Sequence, residues 1–291
     1  MPQTERLKLM TANVPLLMAA LLLIDGLHFV FARALRDHIH PVTSVMFVLG
    51  TAAVQVALFA RSRGLLRWET FRRHAVFFLA IGALIAITTT TNYTAVAFVD
   101  PGTASLLAQT SILFGVGFGV WWLRERLTRN QIIGAAAAIV GAAVITFQPG
   151  DYFRLGSLMV IGSSALYALH AAIVKRYGGG IGFVEFFLWR LISTAGFLFV
   201  SAAAQGLLAW PSPTAWALIL LTGTVDVVIS RALYYLSLRQ IPISIHSLVL
   251  TLSPVVAILW TAALFGVVPA PRDLIGGVGV LIGIAIVTRR Q

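Results

Sequence analysis

Four charged side chains stand inside stretches that otherwise read as lipid-soluble: Asp25, Arg190, Asp226 and Arg231. Each costs at least ~2.5 kcal/mol at depth in a bilayer, so each should face another charge, water or a solute. Opposite poles of this kind suit a zwitterion, with Asp25 or Asp226 taking an ammonium group and Arg231 a carboxylate. Plainer readings stand beside that one. Arg231 lies about two to three turns from a helix end, within snorkelling reach of the interface. The aspartates and arginines could also pair among themselves. His28, His170 and His246 add groups that donate, accept and titrate near neutral pH. They suit either a proton-coupled step or hydrogen-bonded packing.

A second polar feature is "AITTTTNYTAV" at residues 86–96. Threonines can bond back to their own helix carbonyls and serve packing alone. Asn92 cannot be satisfied that way, so Thr88, Thr89, Thr90, Asn92 and Tyr93 are expected to line a cavity. Further along, "TLSPVV" places Pro254 where it removes a helix hydrogen bond and frees the Leu250 carbonyl. In a membrane such a group is satisfied by protein, water or solute. Pro254 therefore marks a helix break beside Ser253, and Gln109 and Ser111 reach similar depth from the opposite end. Tyr167 and Trp260 are the deep aromatic candidates for an apolar wall.

The elements that carry these residues follow from composition. Of 291 residues, 59% are hydrophobic and 11% charged, against about 25% charged in a soluble domain; mean hydropathy is +0.92. The expected class is an all-α membrane protein. Ten spans of bridging length fit: 14–34, 42–60, 74–98, 102–122, 130–147, 155–174, 181–205, 214–237, 242–265 and 272–288. The first begins like a signal peptide but lacks a small-residue cleavage site, so it is read as a helix that stays. The net charge of +11 is spread over short loops, which argues against a nucleic-acid partner. Fifteen of the 21 Lys and Arg fall on the side holding both termini, and only Arg33, Arg36, Arg154 and Arg272 on the other. That excess predicts cytoplasmic N and C termini. There is no cysteine, and no metal-ligand, phosphate-loop or nucleophile–base spacing, so neither cofactor nor enzyme activity is expected.

Shifting the chain on itself by 142 residues aligns His28 with His170, Tyr93 with Tyr235, Ser111 with Ser253, Gly134 with Gly276 and Gly141 with Gly283. Residues 1–149 and 150–291 thus read as two five-helix repeats. Five is odd, so the second repeat is inverted, as in secondary transporters whose substrate site lies between the halves. Ile112 stands opposite Pro254, which argues against a strictly symmetric break. The fifth and tenth spans, "GAAAAIVGAAVI" and "GGVGVLIGIAIV", have almost no side-chain polarity. Their small residues suit close helix contact outside the cavity, including a homodimer contact.

The two repeat ends, "TASLLAQTSILFGVGFGVWWLRERLTRNQIIGAAAAIVGAAVIT" and "ISIHSLVLTLSPVVAILWTAALFGVVPAPRDLIGGVGVLIGIAIVT", with "RERL" and "FFLWRL", resemble the EamA type of the drug/metabolite transporter superfamily. Within it the chain is most similar to the YddG-type bacterial amino-acid exporters. The resemblance implies a carrier in the bacterial inner membrane exporting amino acids, aromatic and other neutral types among them, without a cofactor. It also implies a helix-holding role for Arg190. Drugs are the rival cargo, with sugar phosphates and nucleotide sugars less favoured because only Arg190 and Arg231 are basic within spans.

Overall fold

The computed structural model describes residues 14–122, 129–146, 154–238, 250 and 252–288, and every regular element among them is helical. Helices satisfy their own backbone groups, as a chain in hydrocarbon requires. Seven helical stretches, from Leu16–Arg36 to Pro213–Tyr234, are long and apolar enough to cross a bilayer; Ile132–Ile145 and Ser253–Phe265 are shorter apolar helices.

The first predicted span is two helices, α1 (Val14–Asp25) and α2 (His28–Arg36). Next come α3 (Pro41–Ser62), a short α4 (Trp68–Arg73) and α5 (Ala75–Ala95). The fourth span is also split, into α6 (Pro101–Ala108) and α7 (Ser111–Trp121), and the fifth is α8 (Arg129–Thr146). The second half holds α9 (Leu155–Tyr177), α10 (Phe183–Ala204) and α11 (Pro213–Thr222). A seven-residue π turn, Gly223–Ile229, leads into α12 (Ser230–Leu238), followed by α13 (Ser253–Phe265) and α14 (Pro271–Thr288). Local chemistry sets several starts. Proline stands in the first turn of α3, α6 and α11, where its missing N–H costs nothing. Asp100 Oδ1 caps α6 by accepting from Thr103 N (2.9 Å), and Ser212 Oγ caps α11 by accepting from Ala215 N (3.2 Å).

The break in the fourth span corrects the expectation drawn from Ile112. Residues 109–110 interrupt the helix without a proline, and the next helix starts at Ser111; its equivalent in the second half starts at Ser253, 142 residues on. The cause is a change of hydrogen-bond register. Thr110 N and Thr110 Oγ1 both donate to Leu107 O (2.9 and 2.7 Å), and Leu113 N donates to Thr110 O at 2.9 Å. These are the i to i+3 links of a tighter turn, helped by a side chain that competes for a backbone acceptor.

The apolar helices α8 and α14 pack against each other within the chain. A Cβ on Gly141 would come within 2.5 Å of Gly276 O, and one on Gly283 within 2.5 Å of Gly134 O. Under the 142-residue shift these two contacts are one contact seen twice. The glycines therefore close an intrachain seam between α8 and α14. Only backbone-to-backbone approach lets dispersion hold helices this apolar together in lipid. Gly283→Leu should lower the thermal midpoint of the purified protein, overpacking costing about 1–3 kcal/mol. Gly196→Leu, where a Cβ meets nothing within 4 Å, should leave it unchanged. A scan in detergent by intrinsic fluorescence checks both.

Candidate functional site

All the helix irregularities described above open on one cavity of about 370 Å³. Asp25 and His28 flank the break in the first span, Gln109 and Ser111 that in the fourth, Asp226 sits in the π turn, and Leu250 and Ser253 flank the start of α13. Irregular backbone at membrane depth is tolerated where it is buried in protein or lines such a space. At the first break, Gly26 lets the chain approach α13: a Cβ there would lie 2.9 Å from Val256 Cγ1 and 3.1 Å from Ala257 N.

That approach sets up two polar links. Ser253 Oγ donates to Asp25 Oδ2 at 2.5 Å. One turn along, His28 Nδ1 lies 2.9 Å from Asp226 Oδ2, joining the first span to the π turn. Asp226 is 7% exposed, so the imidazole supplies what a buried carboxylate requires. The cavity also holds Arg190 and Arg231. Arg190 lies over the Phe187 ring, 5.1 Å from its centroid. Arg231 makes no ion pair among the described residues, although Asp25, Asp226, Tyr167 and Tyr234 line the same cavity. The lining thus carries two carboxylates and two guanidiniums beside the side chains of Phe29, Val48, Leu49, Ile85, Ile112 and Val227.

The threonine run resolves into one stripe. Ile85, Thr88, Thr89, Asn92 and Tyr93 line the cavity, the i, i+3, i+4, i+7, i+8 pattern of a single helix face. Thr88 Oγ1 is buried with no hydrogen-bond partner among the described residues, whereas Asn92 Oδ1 accepts from Ser163 Oγ on α9. Of the other expected residues, Gln109, Ser111, Tyr167, Arg231, Ser253, Asp25, His28 and Asp226 are also part of the lining.

The remaining described residues singled out in the sequence lie off the cavity lining. Thr90 turns away from the cavity, because four consecutive residues cover most of the helix circumference. Trp260 faces outward from it and donates Nε1–H to Leu23 O at 3.1 Å. His170 is buried behind the wall, its ring 5.7 Å from that of Tyr167, with neither nitrogen bonded among the described residues. Pro254 is buried beside the lining, in the first turn of α13, where the helix restarts at Ser253 as a break there requires. His246 lies outside the described residues. Ser163 and Ser164 were missed. Adjacent serines one turn before Tyr167, in "GSSALY", were the signal available.

At the C-terminal ends of α2 and α9, arginines lie over aromatic rings. Arg33 is 5.2 Å from the centroid of Phe265, linking α2 to α13. Arg176 is 5.6 Å from that of Trp122, just after α7, and also donates to its backbone carbonyl at 3.3 Å.

Comparison with known proteins bears on what this cavity serves. A family model described as the EamA-like transporter family matches residues 13–147 and again residues 154–289. A probable terminal-alkyne amino-acid exporter of Streptantibioticus cattleyicolor is 29% identical over 199 residues, 66% of this chain and 65% of that protein, just under two thirds of its length. A crystal structure of a protein, 16% identical, superposes with a TM-score of 0.65 over 94% of this chain and 96% of that one, a likeness of fold.

Because the chain has no cysteine, single substitutions can map the stripe. Thr89→Cys should react with a water-soluble maleimide, while Thr90→Cys and the outward-facing Ile87→Cys should react at least tenfold more slowly, since a thiolate forms only where water reaches it. Equal rates at positions 89 and 90 would refute the assignment of the face.

Proposed function

Since the chain belongs to the EamA-like transporter family, we propose that it is a secondary transporter exporting amino acids, aromatic and other neutral types favoured, by alternating access around this cavity. In this reading ten helices span the bacterial inner membrane as two inverted repeats, 1–149 and 150–291, with both termini cytoplasmic. The observation that carries it is the composition of the cavity, in which fixed charges of both signs share about 370 Å³ with an apolar wall. A free α-amino acid presents an ammonium and a carboxylate on one carbon and a variable apolar side chain. Arg231, open to the cavity, offers the fork geometry that a carboxylate accepts. Asp25 and Asp226 provide the opposite pole. The name of the Streptantibioticus relative supports the same cargo class. The two arginine–aromatic contacts supply elements that rocking of the repeats would make and break in turn.

Counterflow in proteoliposomes tests the cargo. Labelled phenylalanine, tryptophan, threonine or methionine should enter vesicles preloaded with the same unlabelled amino acid, saturably and above protein-free controls. The corresponding amides, lacking the carboxylate, should fail to compete. Arg231→Gln should weaken half-saturation about tenfold or more, as loss of a charged hydrogen bond of about 1.5–3 kcal/mol implies. No counterflow for any amino acid, from protein shown to be folded, would overturn the reading. Orientation has its own check: in spheroplasts, Leu208→Cys should label from outside and Leu66→Cys only after permeabilisation.

A further inference from the structure

We propose that His28 and Asp226 form a proton-exchange site that competes with the substrate ammonium, making the carrier a proton/amino-acid antiporter. The inference rests on the amino-acid reading and adds a second ligand, the proton, to the same cavity.

Charge counting within the lining is the starting point. Asp25, Asp226, Arg190 and Arg231 sum to zero, so the net charge of the cavity is set by His28. A zwitterion brings an ammonium that needs a carboxylate. Asp226 Oδ2 is already engaged by His28 Nδ1 at 2.9 Å. If the imidazole is protonated, an arriving ammonium adds a second mobile cation at one carboxylate, and one cation must leave. The guanidiniums cannot shed a proton, whereas imidazole releases one readily near neutral pH. Asp25 gives no such exchange, because its partner is the neutral hydroxyl of Ser253.

Access follows the same logic. The side chain of Asp226 is only 9% exposed while that of His28 is 31% exposed, so the ring meets the cavity more than the carboxylate does. The proton passes from the His28 ring to water on whichever side the cavity is open. The ammonium N–H then donates to Asp226 in its place. After substrate departs on the far side, a proton from that side returns to the imidazole. Proton and substrate are thus bound alternately and move in opposite directions.

The other groups that act on His28 are Asp25 on its own span, Arg231 on α12 and Tyr93 on α5, whose ring lies 6.0 Å away. Tyr234 on α12 shares the cavity. Of the other helices packed on α2, α6, α11 and α13 contain no titratable residue, and α3 has only Arg61 at its far end. The 142-residue shift places His170 opposite His28 but Leu84 opposite Asp226. The carboxylate that makes the pair exchangeable is therefore present in one half only, which gives one such site, and one proton, per cycle.

Proteoliposomes with an acidic lumen in neutral medium, membrane potential clamped at zero, test this. Native protein should accumulate labelled amino acid toward about tenfold for each unit of pH difference, the ratio one proton per substrate sets, with a lumenal pH dye reporting proton loss. His28→Gln should bring the accumulation ratio to one whatever its residual rate. Should that variant not fold, native protein decides through proton release on substrate binding in weakly buffered detergent solution, about one per substrate. Counterflow with no pH-driven accumulation, or His28→Gln that still concentrates substrate, overturns the antiport while leaving the amino-acid reading intact. No counterflow at all overturns both.

Discussion

A backbone amide or carbonyl without a hydrogen-bond partner costs several kcal/mol in hydrocarbon, and the architecture follows from where this chain interrupts its helices. The breaks after Asp25 and Ala108, the π turn around Asp226 and the start of α13 at Ser253 would each be prohibitive against lipid. They are arranged instead around a common interior. Uninterrupted helices take the opposite role: α8 and α14 offer no side chain to the cavity and meet closely through glycine backbones. Polar backbone inside and small side chains at the seam are two answers to one solvent.

The two halves agree in scaffold and differ in chemistry. The seam contacts of Gly141 and Gly283 are related by the 142-residue shift, and so are the helix starts at Ser111 and Ser253. A further pair is nearly related. Gly82 approaches Ser193, and Gly223 approaches Thr51; Ser193 and Thr51 are 142 residues apart, but Gly223 and Gly82 are 141 apart. The slip of one residue occurs where the π turn begins. Two departures from symmetry fall at the cavity, where the lining residues Asp226 and Ile112 stand against Leu84 and Pro254, which are not part of it.

What was legible in the sequence was what carries a large energetic cost. Asp25, Asp226 and Arg231 stand out because a charge in a span demands a partner, and all three are part of the lining. Composition alone placed most spans. Facing was not legible: Thr88, Thr89 and Thr90 are one residue type, and only neighbouring helices decide which of them meets the interior. The proline-free break at Gln109–Thr110 was hidden because a threonine in a helix gives no warning of which carbonyl it will take. Trp260 read as an interior aromatic, yet its indole N–H is satisfied by Leu23 O outside the cavity. Ser163 and Ser164 were passed over because serine in a span is cheap when it bonds back to its own helix, as both do to Val160 O.

The wide turn at Gly223–Ile229 has a mechanical side. A π turn holds more residues per turn than the α-helix around it, a loop of slack threaded into a rod. Slack of this kind can travel. If the turn advances by one residue, the stretch it passes rotates by about 100° and moves about 1.5 Å along the axis. Asp226 rides on that stretch and Arg231 just below it, so a shift of register would carry one pole of the cavity around the helix while the glycine seam stays still.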